Sequence, residues 1–82
     1  MNREELFAKV RERMIEEFEI EDETIVTEDV LLVEGLGLDS LDFVDVVVII
    51  EQEFGITLKA PDFEGITTFG QFCDKVYSLT QA

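Results

Sequence analysis

From Leu41 to Phe54 the chain carries its longest mostly apolar stretch, bracketed by Asp39 before it and Gly55 after it. Those two residues constrain what the stretch can become. The Asp39 carboxylate can accept from the backbone N–H of Leu41 or Asp42. Asp42 can return the bond to the Asp39 N–H, which makes a capping box. Gly55 can adopt the left-handed conformation that ends a helix without a Cβ penalty. Between these ends Phe43, Val46, Val47, Ile50 and Phe54 fall on one stripe at about 100° per residue. The β-branched run Val44, Val46 to Val48, Ile49 and Ile50 opposes a helix by several tenths of a kcal/mol per residue, roughly. Pattern alone therefore leaves a strand open, while the cap and the stripe favour a helix from Ser40 to about Phe54.

The rest of the chain supplies elements to pack on that segment. From about Asn2 to Phe18, Leu6, Phe7, Val10, Met14 and Phe18 recur at three- and four-residue steps and form one apolar face. Glu5 and Lys9, and Lys9 and Arg13, are four apart; one pair attracts, the other repels, so surface pairing adds little. Residues Glu19 to Leu38 lack a helical period. Ile25, Val30, Leu31, Leu32, Leu36 and Leu38 are too many apolar groups for a free linker, so this long loop is expected to lay them over the core. Pro61 suits the first turn of a short helix, Pro61 to Glu64, which Gly65 stops. Thr68 and Gln71 have capping-box spacing and open a last helix to about Leu79, with Phe69, Phe72, Cys73 and Val76 inward and Tyr77 at the edge. The expected fold is all-α: a small four-helix bundle in one domain, residues 1–82. It has three long helices, a short third one, and a long loop between the first two.

Charge and missing residue types exclude several functions. Net charge is −14, and all of it lies in the middle: Met14 to Leu58 holds fourteen Asp or Glu and no Lys or Arg. Such a surface repels nucleic acid and steers basic protein surfaces toward it. The chain has no His, which removes the commonest general base and metal ligand. No metal site is expected; the single Cys73 permits no internal disulfide and reads as a small buried hydrophobe. No stretch is long enough to span a membrane, and the charged start Met1–Glu5 lacks a signal-peptide core, so a cytoplasmic protein is expected.

Ser40 falls in the first turn of the central helix, beside free N–H groups and the positive end of the helix dipole, where an attached phosphate is well placed. By itself this describes only a well-capped helix start. However, Gly37-Leu38-Asp39-Ser40-Leu41-Asp42 resembles the modification site of acyl carrier proteins. The resemblance continues through Val44-Asp45, Glu51-Gln52-Glu53-Phe54-Gly55-Ile56 and Ile66-Thr67-Thr68-Phe69-Gly70, and covers nearly the whole chain. It implies that Ser40, flanked by Asp39 and Leu41, carries 4′-phosphopantetheine from coenzyme A, attached by a phosphopantetheinyl transferase that uses magnesium. The arm's thiol would then hold acyl groups as thioesters. One departure precedes the motif: the family usually has an acidic residue ahead of its Leu-Gly pair, and here Gly35 takes that place.

Two further surfaces follow. Leu41, Val44 and Val48 share the outer side of the central helix with Asp45, Glu51 and Gln52, an apolar strip rimmed by acids that suggests a partner site. Phe43, Val47, Ile50 and Phe54 are the expected lining of an acyl pocket. The expected role is a non-catalytic acyl carrier, monomeric, serving acyl-processing enzymes with basic docking surfaces in fatty acid, polyketide or specialised lipid synthesis. Alternatives are a D-alanyl or peptidyl carrier and an unmodified acidic helical adaptor. A serine hydrolase is rejected, because only carboxylates accompany Ser40.

Overall fold

Each of the three helices begins on a side chain that closes a capping box, so the helix starts are locally encoded. The computed structural model describes residues 1–81. Helix α1 (Arg3–Glu17) starts at Asn2, whose Oδ1 accepts from the Glu5 N–H at 2.8 Å. Helix α2 (Ser40–Phe54) starts at Asp39 and ends on Gly55, which lies at φ 69° in the left-handed region. Helix α3 (Phe69–Thr80) starts at Thr68, whose hydroxyl accepts from the Gln71 N–H at 3.1 Å while the Gln71 side chain accepts from the Thr68 N–H. The β-branched run of α2 is helical throughout: the two caps and the burial of Val46, Ile49 and Ile50 outweigh its low propensity.

The expected short third helix is a correction. Residues Pro61 to Glu64 do not form an α-helix; a single 3-10 turn runs from Ala60 to Phe63, with Pro61 in its first turn and Gly65 beyond it at φ 76°. A second 3-10 turn, Glu23–Ile25, lies in the long loop and was not expected. The described residues are therefore all-helical, with three α-helices, two 3-10 turns and one isolated bridge between Leu31 and Thr68.

The core sits where α1 packs chiefly on α3 and less extensively on α2. Leu6, Val10 and Met14 from α1, Val46 and Ile50 from α2, and Phe69, Phe72, Cys73 and Val76 from α3 are all buried. Phe7 meets Phe69 edge to face, with ring centroids 5.3 Å apart. Ile49 is also buried, although it falls outside the expected stripe. It lies one turn before Glu53, which pairs with Arg13 and Lys9 of α1. Of the expected loop residues, Leu32 and Leu38 are buried and Val30 and Leu36 half-buried, whereas Ile25 and Leu31 point outward. Val26 is buried in their place. In irregular backbone no period distinguishes one apolar neighbour from the next.

The loop is fastened at both of its halves. Arg11 donates from its guanidinium to the carbonyls of Val26 and Glu23 and so holds the first half against α1. In the second half the Phe69 N–H donates to the Val30 carbonyl at 2.9 Å and the Gly70 N–H to the Glu28 carbonyl at 2.8 Å. These contacts satisfy donors at the start of α3 that have no partner within the helix. Gly70 is required there, because a Cβ would stand 2.7 Å from the Glu28 carbonyl oxygen. Arg3 closes the corner, reaching Glu28 at 2.8 Å and Asp74 at 2.7 Å.

The same packing accounts for Gly35. A Cβ at this position would lie 2.6 Å from both the Leu31 carbonyl oxygen and Val30 Cγ2. A side chain at this place has no room in the loop as folded. Gly35→Asp is expected to cost about 1–3 kcal/mol, the usual range for overpacking. Urea unfolding measures it, and an unchanged midpoint would show that the loop yields freely.

Candidate functional site

Asp39 builds the site. Its Oδ1 accepts from the N–H groups of Leu41 and Asp42, each at 3.0 Å, and its backbone carbonyl accepts from the Phe43 N–H at 3.1 Å. Asp42 closes the box, its Oδ2 accepting from the Asp39 N–H at 3.0 Å. The expectation of several free N–H groups beside Ser40 is thus corrected: Asp39 takes those of the next three residues. Ser40 is exposed at the first position of α2, and among the described residues its hydroxyl takes part in no hydrogen bond. The Gly37 backbone (φ 73°) turns the chain into the helix, and the Leu38 N–H donates to the Leu32 carbonyl at 3.1 Å, which ties the approach to the buried part of the loop.

The cap carries a measurable share of stability. Asp39→Ala is expected to cost about 1 kcal/mol, the usual value of an N-cap. Thermal unfolding checks it, and a midpoint equal to that of the parent chain would show that Asp42 and water replace the cap fully.

On the outer side of α2, Leu41 is 77% exposed, Val44 59% and Val48 47%. Asp45, Glu51 and Gln52 are exposed around them. Among the described residues neither Asp45 nor Glu51 has a basic partner; of the fourteen central acids, only Glu28 and Glu53 reach one. The Arg13 guanidinium, hydrogen-bonded to Glu53, holds that carboxyl below its usual range, with burial opposing the shift. Gln52 accepts from Arg13 at 3.3 Å and so sits at the edge of the strip, turned partly toward α1.

The residues expected to line an acyl pocket lie on the inner side. Ile50 is fully buried, and Phe43, Val47 and Phe54 are half-buried against the core. Phe43 meets Phe63 edge to face at 5.6 Å, and Phe63 stacks on Phe72 at 5.9 Å. A row of three rings therefore fills the space between α2, the Ala60–Phe63 turn and α3. An open cleft lies elsewhere, along α1, and none of those four residues lines it.

Other chemistry is sparse. Cys73 is buried, and burial pushes its thiol up to about 12, which leaves it inert as a nucleophile. Among the described residues no three or more Cys, Asp or Glu side chains gather as a metal site. No helix among them is long and apolar enough to cross a membrane.

The start of α2 thus combines a complete cap with an unused, exposed serine on an acidic all-helical frame. The family described as phosphopantetheine attachment site matches residues 8–76. Three relatives, each named acyl carrier protein, are similar over most of their length. The one from Thermotoga maritima is 45% identical over 84% of both chains. That from Saccharopolyspora erythraea is 37% identical over 96% of this chain and 82% of its own, and that from Petrotoga mobilis 38% identical over 83% and 79%. The chain belongs to the acyl carrier protein family, whose cofactor is 4′-phosphopantetheine.

The site fits that group. The Ser40 hydroxyl is accessible and unbonded, the dipole of α2 favours a phosphodiester there, and Asp39 secures the helix without drawing on residue 40.

Proposed function

We propose that Ser40 is the attachment residue and that the chain carries acyl groups without catalysing their chemistry. The carrying observation is the division of labour at the start of α2: Asp39 makes the cap, and the Ser40 hydroxyl is left exposed. When bound, 4′-phosphopantetheine supplies a thiol on a flexible arm, on which acyl groups are held as thioesters. The chain's own residues do the rest. Asp39 and Asp42 fix the backbone that presents the hydroxyl, and Leu41 beside it offers the transferase an apolar contact. The absence of His leaves proton removal from the hydroxyl to that enzyme. The test is to incubate the chain with a phosphopantetheinyl transferase, coenzyme A and magnesium, weigh it, and map the added mass. Transfer to any residue but Ser40 overturns the reading; no transfer favours the acidic adaptor.

Partner enzymes meet the face of Leu41, Val44 and Val48, with Asp45 and Glu51 giving direction and Gln52 at the rim. The unpaired state of both acids supports this, since no neighbouring base weakens their field. Asp45→Lys is expected to slow transfer to Ser40 severalfold at low salt, with the gap narrowing as ions screen charges beyond roughly 8 Å. Transfer rate against ionic strength reads it, and a wild-type rate at low salt would move the docking surface off α2. Phe43, Val47, Ile50 and Phe54 shelter the acyl chain once the ring row beside them parts. The chain works in the cytoplasm as a monomer, visiting acyl-processing enzymes with basic surfaces in fatty acid or a related polyketide or specialised lipid synthesis.

A further inference from the structure

Helix α1 has a second exposed side that the carrier role does not use. Its Lys9 and Arg13 turn toward Glu53 of α2. On the opposite flank a groove of about 570 Å³ runs along the helix against the Glu23–Ile25 turn. Its floor is apolar: Phe7, Ala8 and Ile15. Phe7 is held rigidly there, edge-on to Phe69 and 5.4 Å beneath the Arg3 guanidinium. The rim is acidic: Glu12 and Glu16 from the helix and Glu23 from the turn. None of these three pairs with a Lys or Arg side chain among the described residues. Arg11 also reaches the groove, but its guanidinium is committed to the Glu23 and Val26 carbonyls, where it holds the far wall in place.

We propose that this groove is a second protein-docking surface, which takes a short basic amphipathic helix from a partner. Charge complementarity sets the choice: three unpaired acids around an apolar floor call for Lys or Arg on both sides of an apolar ridge. Length agrees. Phe7 to Glu16 rises roughly 14 Å at 1.5 Å per residue, enough for two to three turns of a partner helix. The groove is open-sided, a shape that suits a helix better than a small molecule, which needs enclosure on most of its surface. Because the groove lies across α1 from α2, a partner held there leaves Ser40 and the Leu41–Val48 strip free. A carrier so tethered can present its arm to other enzymes in turn. That consequence rests on the proposed role of Ser40; the groove itself does not.

The test uses the unmodified full chain, labelled with nitrogen-15, and a short synthetic helical peptide of Leu and Lys as probe. Saturable amide shifts are expected at Ala8, Glu12, Ile15, Glu16 and Glu23. Glu12→Lys with Glu16→Lys should weaken that binding roughly tenfold through reversed rim charge. Ala8→Gln, which fills the floor with a polar group, should weaken it independently. Both variants should still accept phosphopantetheine at the parent rate. Shifts confined to Leu41, Val44 and Val48, or an affinity indifferent to both variants, overturns the proposal. A matching fall in transferase rate overturns the separateness of the two surfaces. Since the probe binds the unmodified chain, failure to modify Ser40 would leave the groove result intact.

Discussion

Ser40→Ala is expected to abolish the mass gain from phosphopantetheinyl transfer and to leave the unfolding midpoint unchanged. The first half follows because the phosphodiester needs an oxygen nucleophile at this position. Within α2 Ser40 is the only hydroxyl-bearing residue. The second half follows from who holds the helix. Both side-chain cap bonds terminate on Asp39, and the return bond comes from Asp42. Alanine in the first turn is moreover a strong helix former. Intact mass after incubation with transferase and coenzyme A reads the first effect, and urea denaturation the second. A variant that still gains the mass, or one that unfolds early, contradicts the assignment.

The largest effect on stability is expected at Phe69. Its side chain is 0% exposed, meets Phe7 edge to face, and opens the helix that packs most extensively on α1. Phe69→Ala removes a buried ring and leaves a cavity that neighbours fill only in part, a loss of about 3–5 kcal/mol. Domains of this kind are stable by only about 5–15 kcal/mol, so the variant should be partly unfolded at mild urea. Circular dichroism across a urea series measures it. A loss below about 1 kcal/mol would mean that α1 and α3 close over the gap.

What the sequence disclosed, and what it withheld, divides by distance along the chain. Asp39 with Asp42, Thr68 with Gln71, and Gly55 announce helix ends because cap chemistry acts within four residues. Phe43, Val46 and Ile50 announce a buried side because helical periodicity is local too. The setting of Ser40 and the uptake of the neighbouring N–H groups by Asp39 were legible for the same reason. The links that fasten the loop are different. Arg11 to Val26, Arg3 to Glu28 and Asp74, and Arg13 to Glu53 join residues far apart in sequence, and no spacing rule signals them. The burial of Ile49 is missed for a related reason: its side of α2 becomes interior only because α1 lies beside it. The Pro61–Glu64 segment was legible as a turn of helix, but the four residues from Pro61 to Glu64, ended by Gly65, supply too few bonds for an α-helical turn.

The fastening of residues 28–38 has a thermodynamic consequence for encounter. Main-chain bonds already fix this stretch, among them Gly70 to Glu28, Phe69 to Val30, Leu32 to Thr67 and Leu38 to Leu32. Backbone that is restrained before contact has little conformational freedom left to lose. With Ser40 in the role proposed for it, a transferase or synthase would therefore close on a preorganised platform, and the entropy of association would fall mainly on side chains such as Leu41 and on the arm itself. Cutting these ties, for instance by substituting Gly70, would shift that entropic burden onto the loop and slow partner turnover even with every residue of the α2 surface intact.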